Sequence, residues 1–477
     1  MKASTIAERE ARGRAAREHS KRSSHRTVGE LHRDPIALLR QSSEGRVENL
    51  VPLRYGRMAV SPFTFFRGTA IIQAHDLAQI HDSGLTMPIC GDGHLMNFGG
   101  FATPERQLVF DLNDFDEVST GPFEWDLKRL CASLVVAARH MRLSRSTAEH
   151  LVMTAATEYR ERMAQYAQCG ALELWYDRIT FDRMAETALT PERRRTVRRA
   201  MEKAASRTHE SLLEKMAEHD GAHWHIRDAP PALFHILGAN TLFTEEEAAV
   251  FKGNDWRKSL APMWGDYLKT MSHDRRELLD HFTVQDIVFK VVGVGSVGTR
   301  CLVLLSVDHM GKPLFMQMKE ARQSVVAQFY KPPHGKHAHT AVKHEGERVV
   351  QGQRMLQAAS DIFLGWATGP QGRHFYFRQL RDMKLSANIE LFDNDLLEGY
   401  ARLCGWIMAR AHAKASGQAI EVSAYIGRGD QFAEALTAYS TSYADQVERD
   451  YDVFLKACRS GELLARSDED MAADFRV

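Results

Sequence analysis

Apolar residues recur along the chain in two rhythms. Ile71, Ile72, Leu77 and Ile80 fall on one face of a 3.6-residue repeat, as do Trp125, Leu127, Leu130, Leu134 and Val135, which open a long buried helix. An alanine-rich stretch from Ser144 to about Arg207 and two late segments, Leu396 to Lys414 and Ala433 to Ala457, are also helical in pattern. Short β-branched and apolar runs break this rhythm at Leu108 to Phe110, after Phe282, at Thr299 to Leu305, at Leu314 to Met318 and at Arg373 to Leu380. Each is bounded by turn residues and predicts a strand. Helices and clustered strands together predict an α+β protein of two lobes.

The rhythm also divides the chain. Residues 1–33 are rich in Arg, Lys, Ser and Glu with almost nothing to bury, and read as a basic, flexible arm or a solvated helix. Residues 34–280 are expected to form a helical lobe, 281–390 a β-rich lobe, and 391–477 further helices completing the helical lobe. The basic helix around Pro191 to Lys203 reads as a solvated face, and the Pro-Pro break in DAPPALFHILG as a connection between lobes.

Composition narrows the setting. At 477 residues the chain has ample core for two or three lobes, and 44% hydrophobic with 26% charged residues is ordinary for a soluble protein. A net charge of zero gives no general attraction to nucleic acid or anionic membrane, so neither partner is expected. No run of 18 apolar residues and no secretory leader is apparent, and six scattered cysteines suit reduced thiols; the expected location is cytoplasmic. Oligomeric state is not legible.

The densest chemistry lies between Cys90 and Leu127. Asp92 and Asn97 stand five apart with His94 between them, and the strand at Leu108 to Phe110 then delivers Asp111, Asp114 and Asp116. Phosphoryl transfer needs one carboxylate to orient or deprotonate the acceptor, and an amide oxygen with a second carboxylate to hold Mg²⁺ on nucleotide phosphates. Asp92, with His94, takes the catalytic role, and Asn97 is one metal ligand. Asp114, followed by Phe115, is the first choice for the second; Asp111 and Asp116 stay open because one sequence does not fix strand register. Asp126 is placed to cap amides or brace the catalytic loop. Arg57 and Arg67 are candidates to face a phosphate.

A second chemical stretch follows Phe282. Gly293, Gly295 and Gly298 form G-x-G-x-x-G, and the residues after Gly298 read as a strand. That favours a glycine turn covering nucleotide phosphates over the helix start that a dinucleotide-dependent oxidoreductase requires. The next strand delivers Lys319 to the phosphates. A helix carrying Glu345 and Glu347 should hold that lysine, with Glu347 slightly favoured. The histidines of HGKHAHTAVKH, beginning at His334, read as a loop.

These local signatures resemble the aminoglycoside phosphotransferase and protein-kinase superfamily. Asp92, His94 and Asn97 match its G-D-x-H-x-x-N loop, Asp114 its metal-binding Asp, Asp126-Leu127 the following helix start, and Gly293, Gly295, Gly298, Lys319 and Glu347 its small lobe. The order differs, since the glycine turn and lysine follow the catalytic loop by about two hundred residues. The resemblance therefore implies a circularly permuted, two-lobed protein-kinase-like fold, with the helix near His412 standing before the catalytic loop in space. It implies ATP and Mg²⁺ as cofactors and transfer to a small-molecule or protein hydroxyl. AMP transfer, or nucleotide binding by a pseudokinase-like regulator without turnover, are the alternatives. Cys90 where His often stands, and Asp116 in place of the glycine of D-F-G, depart from the pattern. SPFTFFRGTA, CGDGHLMNFG, FDLNDFDE, GPFEWDLKRL, KVVGVGSVGTR and GERVVQGQRMLQAASDIFLGW also resemble an uncharacterised bacterial family.

Overall fold

A computed structural model describes residues 4–186, 191–237, 241–244, 256–331, 342–380 and 383–473. The histidine-rich loop lies largely outside them. Among the described residues the chain is a mixed α+β protein in which one six-stranded sheet stands beside a body of helices.

The sheet is antiparallel throughout, in the order Gly365–Thr368, His374–Gln379, Pro313–Glu320, Cys301–Val307, Thr283–Lys290 and Leu233–Phe234. Alternation along these strands gives it two apolar faces. Ile287, Phe289, Leu302, Met316, Met318 and Phe377 pack on one side with Met263 and Tyr267 of the helix Trp256–Lys269. Val288, Val303, Leu305 and Phe315 pack on the other with Leu212 and Leu213 of the helix His209–Met216. The helices His209–Met216, Trp256–Lys269 and His273–Asp280 therefore pack with the sheet, not with the helical lobe as expected. Their apolar positions are the cover that a two-faced sheet needs, a demand that no local pattern displays.

The helical body is built on Phe123–His140, Arg145–Tyr166, Asn394–Ser416 and Gln431–Arg459, whose apolar faces meet in one continuous core. Sixteen of the eighteen residues of Phe123–His140 are buried, as its apolar pattern predicts. Two short ladders lie at the edge of this core. Thr86–Ile89 pairs with Ser119–Pro122, and Phe98–Ala102 pairs with both Leu108–Leu112 and Leu385–Ser386. The last pairing returns the chain from the sheet to the body.

The N-terminal segment is not a flexible arm. Residues Ile6–His19 form a helix started by a Thr5–Glu8 capping box and docked on Ala419–Ile426. Arg9 and Arg12 both pair with Glu421, and Arg17 donates to the carbonyls of Ala424 and Tyr425. Gly13 permits the approach, since a Cβ there would lie 2.1 Å from the Glu421 carbonyl oxygen. Its polar composition suggested solvation because the partners are main-chain carbonyls and one distant carboxylate.

Candidate active site

The loop Cys90 to Asn97 is held from behind. It leaves the strand Thr86–Ile89 and turns at Gly91, whose φ of +80° and whose contact with the Glu117 carbonyl leave no room for a side chain. Asp126, in the first turn of Phe123–His140, accepts the amide of Cys90 at 2.6 Å and that of Gly91 at 2.8 Å. Its other contact is His412 Nε2 at 3.1 Å, on the helix Asn394–Ser416, and both residues are fully buried. Three segments distant in sequence are thus tied to one carboxylate, the bracing role expected of Asp126.

Asp92 is presented on this support. Arg129, three residues along the helix from Asp126 and so on nearly the same face, donates to its Oδ1 at 2.7 Å. The same guanidinium is fixed by the Gln73 side chain, the Phe66 carbonyl and the Phe66 ring. Burial raises the Asp92 carboxyl to about 6, with Arg129 opposing. The Asn97 amide nitrogen donates to the Asp92 carbonyl at 2.7 Å, which leaves its amide oxygen as the end able to serve a cation. His94 is buried, caps the short turn Leu95–Asn97 through Nδ1 and lies 3.8 Å from Asp92 through Nε2. Burial holds it well below its usual range, and Arg129 and Arg67 act in the same direction, so the neutral ring positions the loop.

The three candidate aspartates separate cleanly. Asp111, within the strand Leu108–Leu112, is fully buried against Arg410 at 2.7 Å and accepts the amides of Leu112 and Ala358. It is structural and does not reach the cavity, which removes it as a metal candidate. Asp114 is one-third exposed, lines the cavity and turns the backbone by accepting the Asp116 amide. Asp116 lies against the ammonium of Lys319 and also receives Tyr376 Oη at 2.8 Å and Ser296 Oγ at 3.3 Å. Burial works to raise the Asp116 carboxyl, but Lys319, Tyr376 and Arg378 outweigh it and hold the group below its usual range.

Lys319 sits in the third strand of the sheet as expected, in register with Cys301 and Tyr376. Its partner is not Glu347. The helix Glu345–Leu356 does lie beside the sheet, but the ammonium turns to Asp116, with Asp114 3.9 Å away. From the same helix Arg348 reaches inward to the carbonyls of Asp116 and Val118, while Glu345 pairs with Arg348. The choice between acids is made by the fold's proximity, which helical spacing does not encode.

The glycine turn closes the roof. A strand, Cys301–Val307, follows it, so no dinucleotide-type helix opens there. The turn is pinned from the N-terminal part of the chain: Arg57 donates to the Gly293 carbonyl, Arg46 to that of Val297 and the Val47 amide to that of Gly298. Arg57 is otherwise paired with Asp468. Of the three glycines only Gly295 lines the cavity, with Ser296 beside it.

Asp92, Asn97, Asp114, Asp116, Gly295, Ser296 and Arg67 thus surround one cavity of about 280 Å³. A second cavity, of about 210 Å³, lies against the crossing back to the helical body and is bordered by Asn113, Arg378, Gln379 and Lys384. Arg378 spans the gap by donating to Gln317 Oε1 at 2.8 Å and to the Asn113 carbonyl at 3.3 Å. For Mg²⁺ the protein offers one amide oxygen, on Asn97, and one carboxylate, on Asp114. Among the described residues no group of three or more metal-ligating side chains converges. That sparse set fits an ion that keeps several waters and takes substrate phosphates as its remaining ligands.

The family model for uncharacterised proteins conserved in bacteria, DUF2252, matches residues 46–457. The chain belongs to this family. The match covers the Cys90 to Asn97 loop, the glycine turn, Lys319 and the Asp126–His412 brace, and all of the cavity lining except Gln41, Ser42 and Glu44. No curated protein and no solved structure matches the chain. Among the described residues no helix is long and apolar enough to cross a membrane.

Arg129 and Arg378 were not anticipated. The spacing of Asp126 and Arg129 on one helix face was a readable signal. For Arg378 there was none, since it is one of several polar residues in the strand His374–Gln379.

Proposed function

We propose that this protein is a phosphotransferase of protein-kinase-like design, in permuted order, using ATP with Mg²⁺ to phosphorylate a hydroxyl. The observation that carries the reading is the meeting of Asp92, Asn97, Asp114 and the glycine turn at one cavity, with Lys319 buried behind it against Asp116, from segments about two hundred residues apart. The sheet supports it: after the short edge strand Leu233–Phe234 come three strands in sequence, then the helices Val325–Phe329 and Glu345–Leu356, then two strands of which the last pairs with Pro313–Glu320. That arrangement puts a strand lysine under a glycine turn, as phosphate binding in kinases requires.

In this reading Asn97 and Asp114 would hold Mg²⁺, whose charge would offset that of the nucleotide phosphates. Lys319 exchanges part of its contact with Asp116 for phosphate oxygens. Asp92, oriented by Arg129, receives the acceptor proton as the acceptor oxygen bonds to the γ phosphorus; the bond to the β-γ bridging oxygen breaks and ADP carries that electron pair away.

The test is ATP consumption by the full chain against a panel of hydroxyl acceptors, beside Asp92→Ala. Turnover that an acceptor stimulates, and that Asp92→Ala lowers at least a hundredfold, supports the reading. The pairing of Lys319 with Asp116 favours one other reading, a nucleotide-binding regulator without turnover. Nucleotide binding with no acceptor-dependent turnover, identical in Asp92→Ala, would select it.

A further inference from the structure

The first cavity is also lined by arginines that, among the described residues, pair with no carboxylate. Arg46, Arg54 and Arg322 converge on one residue: Arg46 Nε and Arg322 Nη1 donate to the Ser42 carbonyl, and Arg54 Nη2 to the Ser42 hydroxyl. Their other bonds go to the carbonyls of Glu44, Gly68 and Val297 and to the Ser43 hydroxyl. All these acceptors are neutral. Arg67 completes the wall, and its Nε is buried without a hydrogen-bond partner; the Nε of Arg54, a residue 1% exposed, is likewise unpartnered.

Four guanidinium groups in one pocket without a paired carboxylate, among the described residues, are costly unless an anion completes them. Nearby acids do not. Glu320 is taken by Arg300 and Arg373, Asp92 by Arg129, and Glu117 accepts the Val325 amide; Glu44 stands exposed at the rim. Guanidinium forks match phosphate oxygens, and Arg67 lines the same cavity as Asp92.

We propose that this arginine wall is a subsite for a phosphate group carried by the acceptor, so that the enzyme phosphorylates an already phosphorylated small molecule. The proposal rests on the phosphotransfer reading, with the acceptor hydroxyl at Asp92 and its own phosphate on Arg67 and Arg322.

Calorimetric titration of the full chain with inorganic phosphate, alone and with saturating Mg²⁺ and a non-hydrolysable ATP analogue, tests it. Arg67→Gln and Arg322→Gln are the variants, since both side chains are only half-buried, with circular dichroism to verify folding. Phosphate binding that survives the analogue and weakens at least tenfold in each folded variant supports the subsite. Two results overturn it: no phosphate binding by a protein that binds the analogue, or complete competition by the analogue, which assigns the arginines to the nucleotide's own phosphates. Phosphate binding without any analogue binding overturns the phosphotransfer reading and with it the acceptor role, and leaves the arginine wall as a phosphate site only.

Discussion

The ammonium of Lys319 lies against the carboxylate of Asp116, across 203 residues of sequence and from the sheet to the helical body. Lys319 is 3% exposed, and Asp114 and Asp116 outweigh burial to keep it protonated. The pair both ties the two halves of the molecule together and occupies the lysine.

Asp116→Asn should therefore move binding and stability in opposite directions. Without nucleotide, loss of the counterion to a buried ammonium lowers stability by about 3 kcal/mol. With Lys319 released, nucleotide affinity rises by about tenfold, the worth of one charge-assisted hydrogen bond. Thermal melting with and without Mg²⁺·ATP reads both: a lower starting melting temperature and a larger nucleotide-induced rise. A variant that melts lower and gains nothing from nucleotide would contradict the exchange.

The pH dependence follows from Asp92. Its folded pKa is raised from 3.8 to about 6, chiefly by burial. In the phosphotransfer reading the ionised form accepts the proton, so kcat/KM should be flat above pH 7 and fall about tenfold per pH unit well below 6. A pH-rate profile whose acid limb lies near 4 would remove Asp92 from the base role.

Asp126 acts through the loop that it holds. Asp126→Ala orphans the buried amides of Cys90 and Gly91 and the ring of His412, at a cost of about 3 kcal/mol or more. Turnover should fall while nucleotide affinity, set mainly by Lys319 and Asp114, changes less than threefold. Denaturant unfolding together with separate kcat and Kd measurements distinguishes this from a direct role in binding.

Docking of the N-terminal helix has its own lever. Gly13→Leu places a side chain where the Glu421 carbonyl already lies 2.1 Å from a Cβ position. The helix should detach, and trypsin should cut within the arginine-rich segment Ile6–His19 much faster than in the unaltered protein.

What was legible in the sequence was local. The Asp92–Asn97 spacing, the strand that feeds Asp114, the glycine turn between strands, Lys319 on the third strand and the Asp126 brace are all written in short windows. The partners of those groups were not. Lys319 took Asp116 over Glu347, and Asp111 turned away to Arg410, because both outcomes depend on strand register and on which element packs opposite. The arginine wall draws on positions 46, 54, 67 and 322, which share no window at all. The helices His209–Met216 and Trp256–Lys269 joined the sheet because only a finished sheet shows which face still needs cover.

The most direct test of the phosphotransfer account is calorimetric titration of Mg²⁺·ATP into the full chain, beside Lys319→Ala and Asp114→Ala. The account predicts saturable binding that Lys319→Ala weakens at least tenfold and whose Mg²⁺ dependence Asp114→Ala abolishes. A well-folded protein that binds no ATP, or binds it equally in all three forms, would contradict it.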